Sequence, residues 1–261
     1  MFATTVIKRC LSENFAGRVA LVTGAGGGIG RAVSLMLAQK GSSVVSVDLN
    51  ESHAAETRKQ CETFSGTHLH HQVDVSSKES VTKLFSFIKE NYPKPPSIIV
   101  NCAGIIRDSF LLEMSEEDFD SVINVNLKGT FLTTQAAVDA MVAGKVEEGS
   151  IINLSSISGK IGNIGQCNYA SAKHGIESFT RVVAKEAAKH NIRCNCVMPG
   201  FVDTQILAPV PQKVMDKIIP QIPLKRIGKP EEIADAICFL SSPRASYITG
   251  ITLQISGGLF V

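Results

Sequence analysis

The sequence predicts an α/β fold: a doubly wound parallel sheet of seven strands with helices on both faces. Three observations predict it. Short β-branched apolar runs alternate with amphipathic stretches along the whole 261 residues, the pattern of a sheet covered on both sides. The first run stops at a glycine cluster, TGAGGGIG at 23–30, that opens a helix. An acid, Asp48, closes the second run. No internal segment is long and flexible enough to divide the chain, so residues 1–261 read as a single domain.

Residues 18–23 (RVALVT) form the first predicted strand, short and β-branched. Apolar positions at helical spacing predict a helix over 29–40, which Gly41 ends. A strand over 43–48 (SVVSVD) and a polar helix over 51–63 follow. A strand at 70–75, a helix at 77–90 and a turn at Pro93–Pro96 lead to a strand at 97–102. Ser115, with Asp118 three residues on, is a near capping box and starts a long helix to about residue 143. Residues 149–155 are a strand, 169–190 a helix and 192–198 a strand. Residues 199–224 are proline-rich and irregular, with one short helix near 210–219. Pro230 opens a helix to residue 240, and 252–255 is the last strand.

Composition excludes several function classes. Lys+Arg 26 against Asp+Glu 24 leaves +2, too weak a field to make nucleic acid or acidic lipid a main partner. No apolar run is long enough for a membrane span. The seven cysteines lack a secreted disulfide spacing and read as buried thiols of a reducing compartment. Cys194 and Cys196 share a face of one strand without a second ligand pair, and His68, His70 and His71 read as solvated side chains, so no metal is expected. Cys167 has no histidine or acid spaced to activate it.

The glycines at 24, 28 and 30 follow a strand and open a helix, with Ile29 between them. Backbone can approach a pyrophosphate there, and the helix N-terminus supplies free N–H groups. The fold is therefore Rossmann-like. Asp48, with Leu49 after it, stands where a carboxylate accepts from the adenosine ribose hydroxyls and repels a phosphate on that ribose. No Lys or Arg lies within the loop, which favours NAD over NADP. Asp74 and Val75 close the third strand at the adenine edge. Asn101, Ala103 and Gly104 end the fourth strand, where small residues let backbone pass close to a ligand. Tyr169 and Lys173 share one helix face at i and i+4. Ser156 lies 13 residues before Tyr169, and Asn126 lies inside the preceding helix.

These residues, with NCAG at 101–104 and PGFVDT at 199–204, resemble the short-chain dehydrogenase/reductase family from about Arg18 onward. The stretches INVNLKGTFL at 123–132 and GSIINLSSISGKIGNIGQCNYASAKHG at 149–175 are similar to bacterial 3-ketoacyl-[acyl carrier protein] reductases. PPSIIVNCAGI, FLLEMSE and VPQKVMDKII are more similar to an animal estradiol 17β-dehydrogenase subgroup. The resemblance implies an NAD(H)-dependent enzyme acting on 3-hydroxyacyl or 3-ketoacyl thioesters and on 17β-hydroxysteroids such as estradiol. A dedicated steroid dehydrogenase and a non-catalytic NAD-binding subunit are the alternatives. Tyr169 would exchange the proton, Lys173 would favour its phenolate and hold the nicotinamide ribose, and Ser156, rather than Ser155, would hold the substrate oxygen. Asn126 would anchor a water behind Lys173. Pro199, Gly200, Val202 and Thr204 would meet the nicotinamide end, under a lid at 199–224.

The resemblance also implies a homotetramer when the chain is alone, a mixed tetramer with an NADPH-dependent short-chain reductase, and the mitochondrial matrix, with the cytoplasm as alternative. Val122, Val125, Phe131, Phe179 and Val183 exceed what one sheet face needs and, with the apolar run GGLFV at 257–261, suit such interfaces. Residues 1–16 carry Lys8 and Arg9 and no acid before Glu13, as a flexible N-terminus or weak targeting segment does. Glu147 and His190 stand where the bacterial enzymes place basic carrier-docking residues beside the active-site mouth, which shifts docking to a partner subunit.

Overall fold

The computed structural model describes residues 14–208 and 210–260. The expected targeting segment lies outside them up to residue 13. Its described end is packed: Phe15 is fully buried and its amide donates to the Lys40 carbonyl at 2.8 Å. Residues 14–16 thus belong to the fold rather than to a flexible end.

Seven strands form one sheet: β1 (Val19–Thr23), β2 (Ser43–Asp48), β3 (Leu69–Gln72), β4 (Ile98–Asn101), β5 (Gly149–Leu154), β6 (Ile192–Pro199) and β7 (Thr252–Ile255). Their order is β3-β2-β1-β4-β5-β6-β7 and every pairing is parallel. The helices are α1 (Gly28–Gln39), α2 (Glu51–Cys61), α3 (Lys78–Asn91), α4 (Glu116–Val122), α5 (Gly129–Ala143), α6 (Ile157–Ile161), α7 (Cys167–Ala187), α8 (Gln212–Ile218) and α9 (Pro230–Ser241). Alternate strand residues face opposite ways. Ala20 and Val22 pack with Val33, Leu37, Ile233 and Ile237 of α1 and α9, while Val19 and Leu21 pack with Leu84, Ile88, Leu132 and Met141 of α3 and α5.

The long helix predicted from Ser115 is interrupted. Ser115 caps it, its hydroxyl accepting from the Asp118 amide at 3.1 Å, but residues Ile123–Lys128 widen into a π-helix between α4 and α5. A wide turn reaims a side chain. Here it holds buried Asn126, whose amide group bonds both the N–H and the carbonyl of Ile105, at 2.8 and 2.9 Å. The third strand ends early, at Gln72, because Asp74 turns the chain. Its carboxylate accepts from the Ser76 amide and hydroxyl at 2.9 and 2.7 Å.

Two of the three histidines near β3 depart from expectation. His68 is buried, not solvated, with Nδ1 accepting from the Val44 amide, and half-buried His71 stacks on Phe87. Among the described residues no three His, Cys, Asp or Glu side chains gather as metal ligands. Cys194 and Cys196 are fully buried in β6, and burial pushes the Cys196 thiol up to about 12. No helix among the described residues is long and apolar enough to cross a membrane.

At the amino ends of the strands, Arg18 is a half-buried hub. It donates to the Ser97 hydroxyl at 2.9 Å and to the carbonyls of Ser97, Glu148 and Ser241 at 3.0–3.1 Å. Burial lowers its pKa to about 10, opposed by Glu148, so it keeps its charge at neutral pH. Glu147 and His190 also lie at this edge, just before β5 and β6. The cavity opens at the other end of the strands, so neither residue borders its mouth within one chain.

Candidate active site

The strand order reverses between β1 and β4, and chains leaving those strands in opposite directions open a crevice at their carboxyl ends. A cavity of about 680 Å³ lies there. The glycine loop forms one wall, and glycine is needed for space. A Cβ on Gly30 would stand 2.1 Å from the Gly24 carbonyl oxygen, and one on Gly24 would stand 2.8 Å from the Ala103 backbone. The loop ends in the first turn of α1, whose N–H groups have no intrahelical partner.

Asp48 sits at the tip of β2. One carboxylate oxygen accepts from the Gly26 amide at 2.9 Å and the other from the Asn50 amide at 3.0 Å. Each oxygen retains acceptor capacity for a ribose hydroxyl. Arg31, just past the loop, is committed elsewhere: it donates to the Gly26 carbonyl at 2.6 Å and to the Thr57 hydroxyl at 3.0 Å. Among the described residues lining the cavity, Lys173 is the only lysine or arginine. A bare backbone cradle, a helix N-terminus and a carboxylate at the strand tip fit a nicotinamide dinucleotide.

The predicted cofactor contacts line this cavity, Asp74 and Thr204 included, with one exception. Asn101 faces the sheet interior instead. Its Nδ2 donates to Asn153 Oδ1 at 2.8 Å and to the Thr134 hydroxyl at 3.0 Å, and Asn153 in turn donates to the Thr180 hydroxyl at 2.9 Å. The ladder joins β4 and β5 to α5 and α7. It locks the strand end from which Ser156 emerges against the helix that carries Tyr169.

The two serines after β5 part company. Ser155 is buried, its hydroxyl 3.0 Å from both the Lys173 carbonyl and a Glu177 carboxylate oxygen. Both serines line the cavity, but the Ser156 hydroxyl is not tied up in this way: it caps α6, accepting from the Ser158 amide at 3.2 Å. The same hydroxyl lies beside the Tyr169 phenol and acts to lower that group's pKa. Lys173, one turn along α7, is buried. Its Nζ donates to the Leu154 carbonyl at 2.9 Å and stands 5.5 Å from the Tyr169 ring centroid. Asn126 lies behind this group: a Cβ on Gly104 would meet Asn126 Oδ1 at 3.1 Å and Lys173 Nζ at 3.5 Å.

Burial pushes the Tyr169 phenol up to about 12; the Ser156 hydroxyl opposes this, and the Asp108 carboxylate adds to it. The ammonium was expected to favour the phenolate, yet burial is the largest influence on the phenol and keeps it protonated. Burial also lowers Lys173 to about 8, opposed by Cys196 and Cys102. At neutral pH the pair is a phenol beside an ammonium.

Sequence reasoning missed Asp108 and Gln166. Both line the cavity, and Gln166 Nε2 donates to both oxygens of the Asp108 carboxylate at 3.0–3.2 Å. Gln166 sits three residues before Tyr169, on the same side of the helix start, which was the available signal.

A family model described as Enoyl-(Acyl carrier protein) reductase matches residues 24–260. The chain is 48% identical over 250 residues to a (3R)-3-hydroxyacyl-CoA dehydrogenase of Canis lupus familiaris, covering 93% of this chain and 96% of that protein. The Homo sapiens protein of the same description is 47% identical over 258 residues, covering 96% and 98%. A 3-oxoacyl-[acyl-carrier-protein] reductase FabG of Thermotoga maritima is 42% identical over 245 residues, covering 94% and 98%. Among solved structures, a short-chain type dehydrogenase/reductase from Mycobacterium marinum superposes with a TM-score of 0.90 at 33% identity, covering 95% of this chain and 97% of that one. With the nucleotide crevice and the Ser156–Tyr169–Lys173 group in one cavity, these similarities make the chain a member of the short-chain dehydrogenase/reductase family, a nicotinamide-dependent oxidoreductase.

Proposed function

We propose that the protein is an NAD(H)-dependent enzyme that interconverts a secondary alcohol and a ketone on 3-hydroxyacyl or 3-ketoacyl thioesters of coenzyme A or acyl carrier protein, with 17β-hydroxysteroids such as estradiol as a second substrate class. The observation that carries it is the pair of hydroxyls, Ser156 and Tyr169, brought side by side on the cavity wall. Two hydroxyls at one point suit a substrate oxygen rather than a carbon–carbon double bond. The far part of the cavity is apolar, lined by Ile206, Leu207, Val210, Val214 and Ile218 of the lid, which suits an acyl or steroid body. The names of the similar proteins support the thioester.

A nicotinamide dinucleotide held by the glycine loop, Asp48 and Lys173 would supply or accept the hydride. Tyr169 gives its proton to the ketone oxygen in reduction and takes one from the alcohol in oxidation. Ser156 donates to that oxygen and stabilises the developing charge. Lys173, held by the Leu154 carbonyl, keeps a cation beside the phenol, and Asn126 holds a water behind it. Intact Ser156, Tyr169 and Lys173 argue against a non-catalytic subunit. Following NADH absorbance with acetoacetyl thioester and estradiol in parallel tests the reading: oxidation or reduction of the thioester pair is expected, and turnover of estradiol alone makes it a dedicated steroid enzyme.

NAD is the favoured cofactor because Asp48 stands at the ribose end without a facing cation. The efficiency with NADH should exceed that with NADPH by at least about tenfold, since a like-charge contact costs several kcal/mol. Asp48→Ala should narrow the gap. Equal kcat/KM with the two cofactors in the unaltered enzyme would sink the assignment.

The chain works as a tetramer, homomeric alone and mixed with an NADPH-dependent short-chain reductase in the mitochondrial matrix. Of the apolar residues set aside for interfaces, Val122 is fully buried, and Val125 and Val183 pack on the core. Phe131 and Phe179 meet edge to face, with Phe131 39% and nearby Val182 51% exposed. An apolar helix face left this open supports association. Light scattering should give a four-chain particle, and a monomer at micromolar concentration would count against it.

A further inference from the structure

The proton-transfer scheme leaves the segment after β7 without a role. Residues 256–260 form a tight hook, and Leu259 and Phe260 line the cavity. Gln254 Nε2 donates to the Leu259 carbonyl at 2.7 Å and to the Ser256 hydroxyl at 2.8 Å, and the Ser256 hydroxyl donates to that carbonyl at 3.0 Å. Gly257 and Gly258 have φ of +63° and +87°, and a Cβ on either would stand 2.9 Å from the lid, from Ile222 and Pro223 respectively. The Leu224 amide donates to the Gly257 carbonyl at 3.1 Å, so the hook holds the end of the lid. From the other side comes Lys160 on α6, the helix that Ser156 caps. Its Nζ donates to Gln254 Oε1 at 2.8 Å and to the Phe260 carbonyl at 3.0 Å. The hook is therefore fixed to the lid, to β7 and to the helix beside the reacting group. A wall held from three sides resists swinging aside for a longer ligand.

We propose that residues 256–260, latched by Lys160, form a fixed end wall that limits the length of acyl chain the site accepts, with Phe260 as the side chain that sets the limit. This rests on the acyl-thioester reading above. Phe260→Ala shortens the wall, and Lys160→Met removes the latch from an exposed position.

The test is binding of straight-chain 3-hydroxyacyl thioesters, one of four carbons and one of about ten, to the enzyme–NADH complex, read from the fluorescence of the bound nucleotide. Turnover is not needed for this readout. The ratio of the two Kd values should move toward the longer ligand by about tenfold in Phe260→Ala, because one methylene in an apolar pocket discriminates by about that much. Lys160→Met should move it in the same direction by a smaller factor, and it carries the test if Phe260→Ala does not fold. An unchanged length preference in the folded variants overturns the wall and leaves the thioester reading standing. Unaltered enzyme that binds neither thioester overturns both.

Discussion

Tyr169→Phe is expected to lower turnover by about 10²–10⁴-fold, the usual contribution of a general acid–base group, with NADH affinity nearly unchanged. The ring keeps its place 5.5 Å from Lys173 Nζ, and only the hydroxyl beside Ser156 is lost. Turnover and NADH binding measured on one preparation decide it, and turnover like that of the unaltered enzyme removes Tyr169 as the proton donor. The pH dependence has a defined sign. Burial holds the phenol up at about 12, so the protonated form that reduction needs is present throughout the neutral range. The reductive rate should not fall with a Tyr169 titration there. Oxidation needs the phenolate, so its rate should rise with pH over the same range.

Ser156→Ala and Ser155→Ala are neighbours in sequence and should behave oppositely. Removing a hydrogen-bond donor to a developing oxyanion typically costs about 10²–10³-fold in rate, and that is expected for Ser156. Ser155→Ala should keep most of the rate and lose stability by about 1–3 kcal/mol. It strands the buried Glu177 oxygen that its hydroxyl meets at 3.0 Å. Urea midpoints and kcat on both variants separate the roles. A stability loss in Ser156→Ala with normal kcat would reverse the assignment.

The strand–helix alternation was legible because parallel strands buried on both faces are written as apolar runs that stop at glycine or acid. Asp48 and the glycine loop could be placed because their positions follow from strand ends, which the pattern marks. The choice of Ser156 over Ser155 came from family spacing, since two adjacent serines carry no local sign that one hydroxyl is taken up by the Lys173 carbonyl and Glu177. The direction of the Asn101 side chain was not legible for the same reason. Strand parity sends it into the ladder with Asn153 and Thr134, and its partners lie 52 and 33 residues away. The π-helix around Asn126 left no periodicity signal, because one widened turn shifts the phase only after the segment has passed. Gly129 was the visible trace. A Cβ there would stand 2.7 Å from Val75 Cγ2, so a glycine inside an apolar helix marked a close approach. The position of Glu147 and His190 at the far edge of the sheet followed from the order of strand and helix, which a matched spacing to other enzymes does not weigh.

The Arg18 guanidinium binds groups 79, 130 and 223 residues away along the chain. Its bonds close only after β1, β4, the turn before β5 and the end of α9 have all assembled. Contacts that form after the rate-limiting step of folding leave the folding rate alone and slow unfolding. Removing this guanidinium, remote from the chemistry, is expected to shorten the lifetime of each folded molecule, read as a faster unfolding rate.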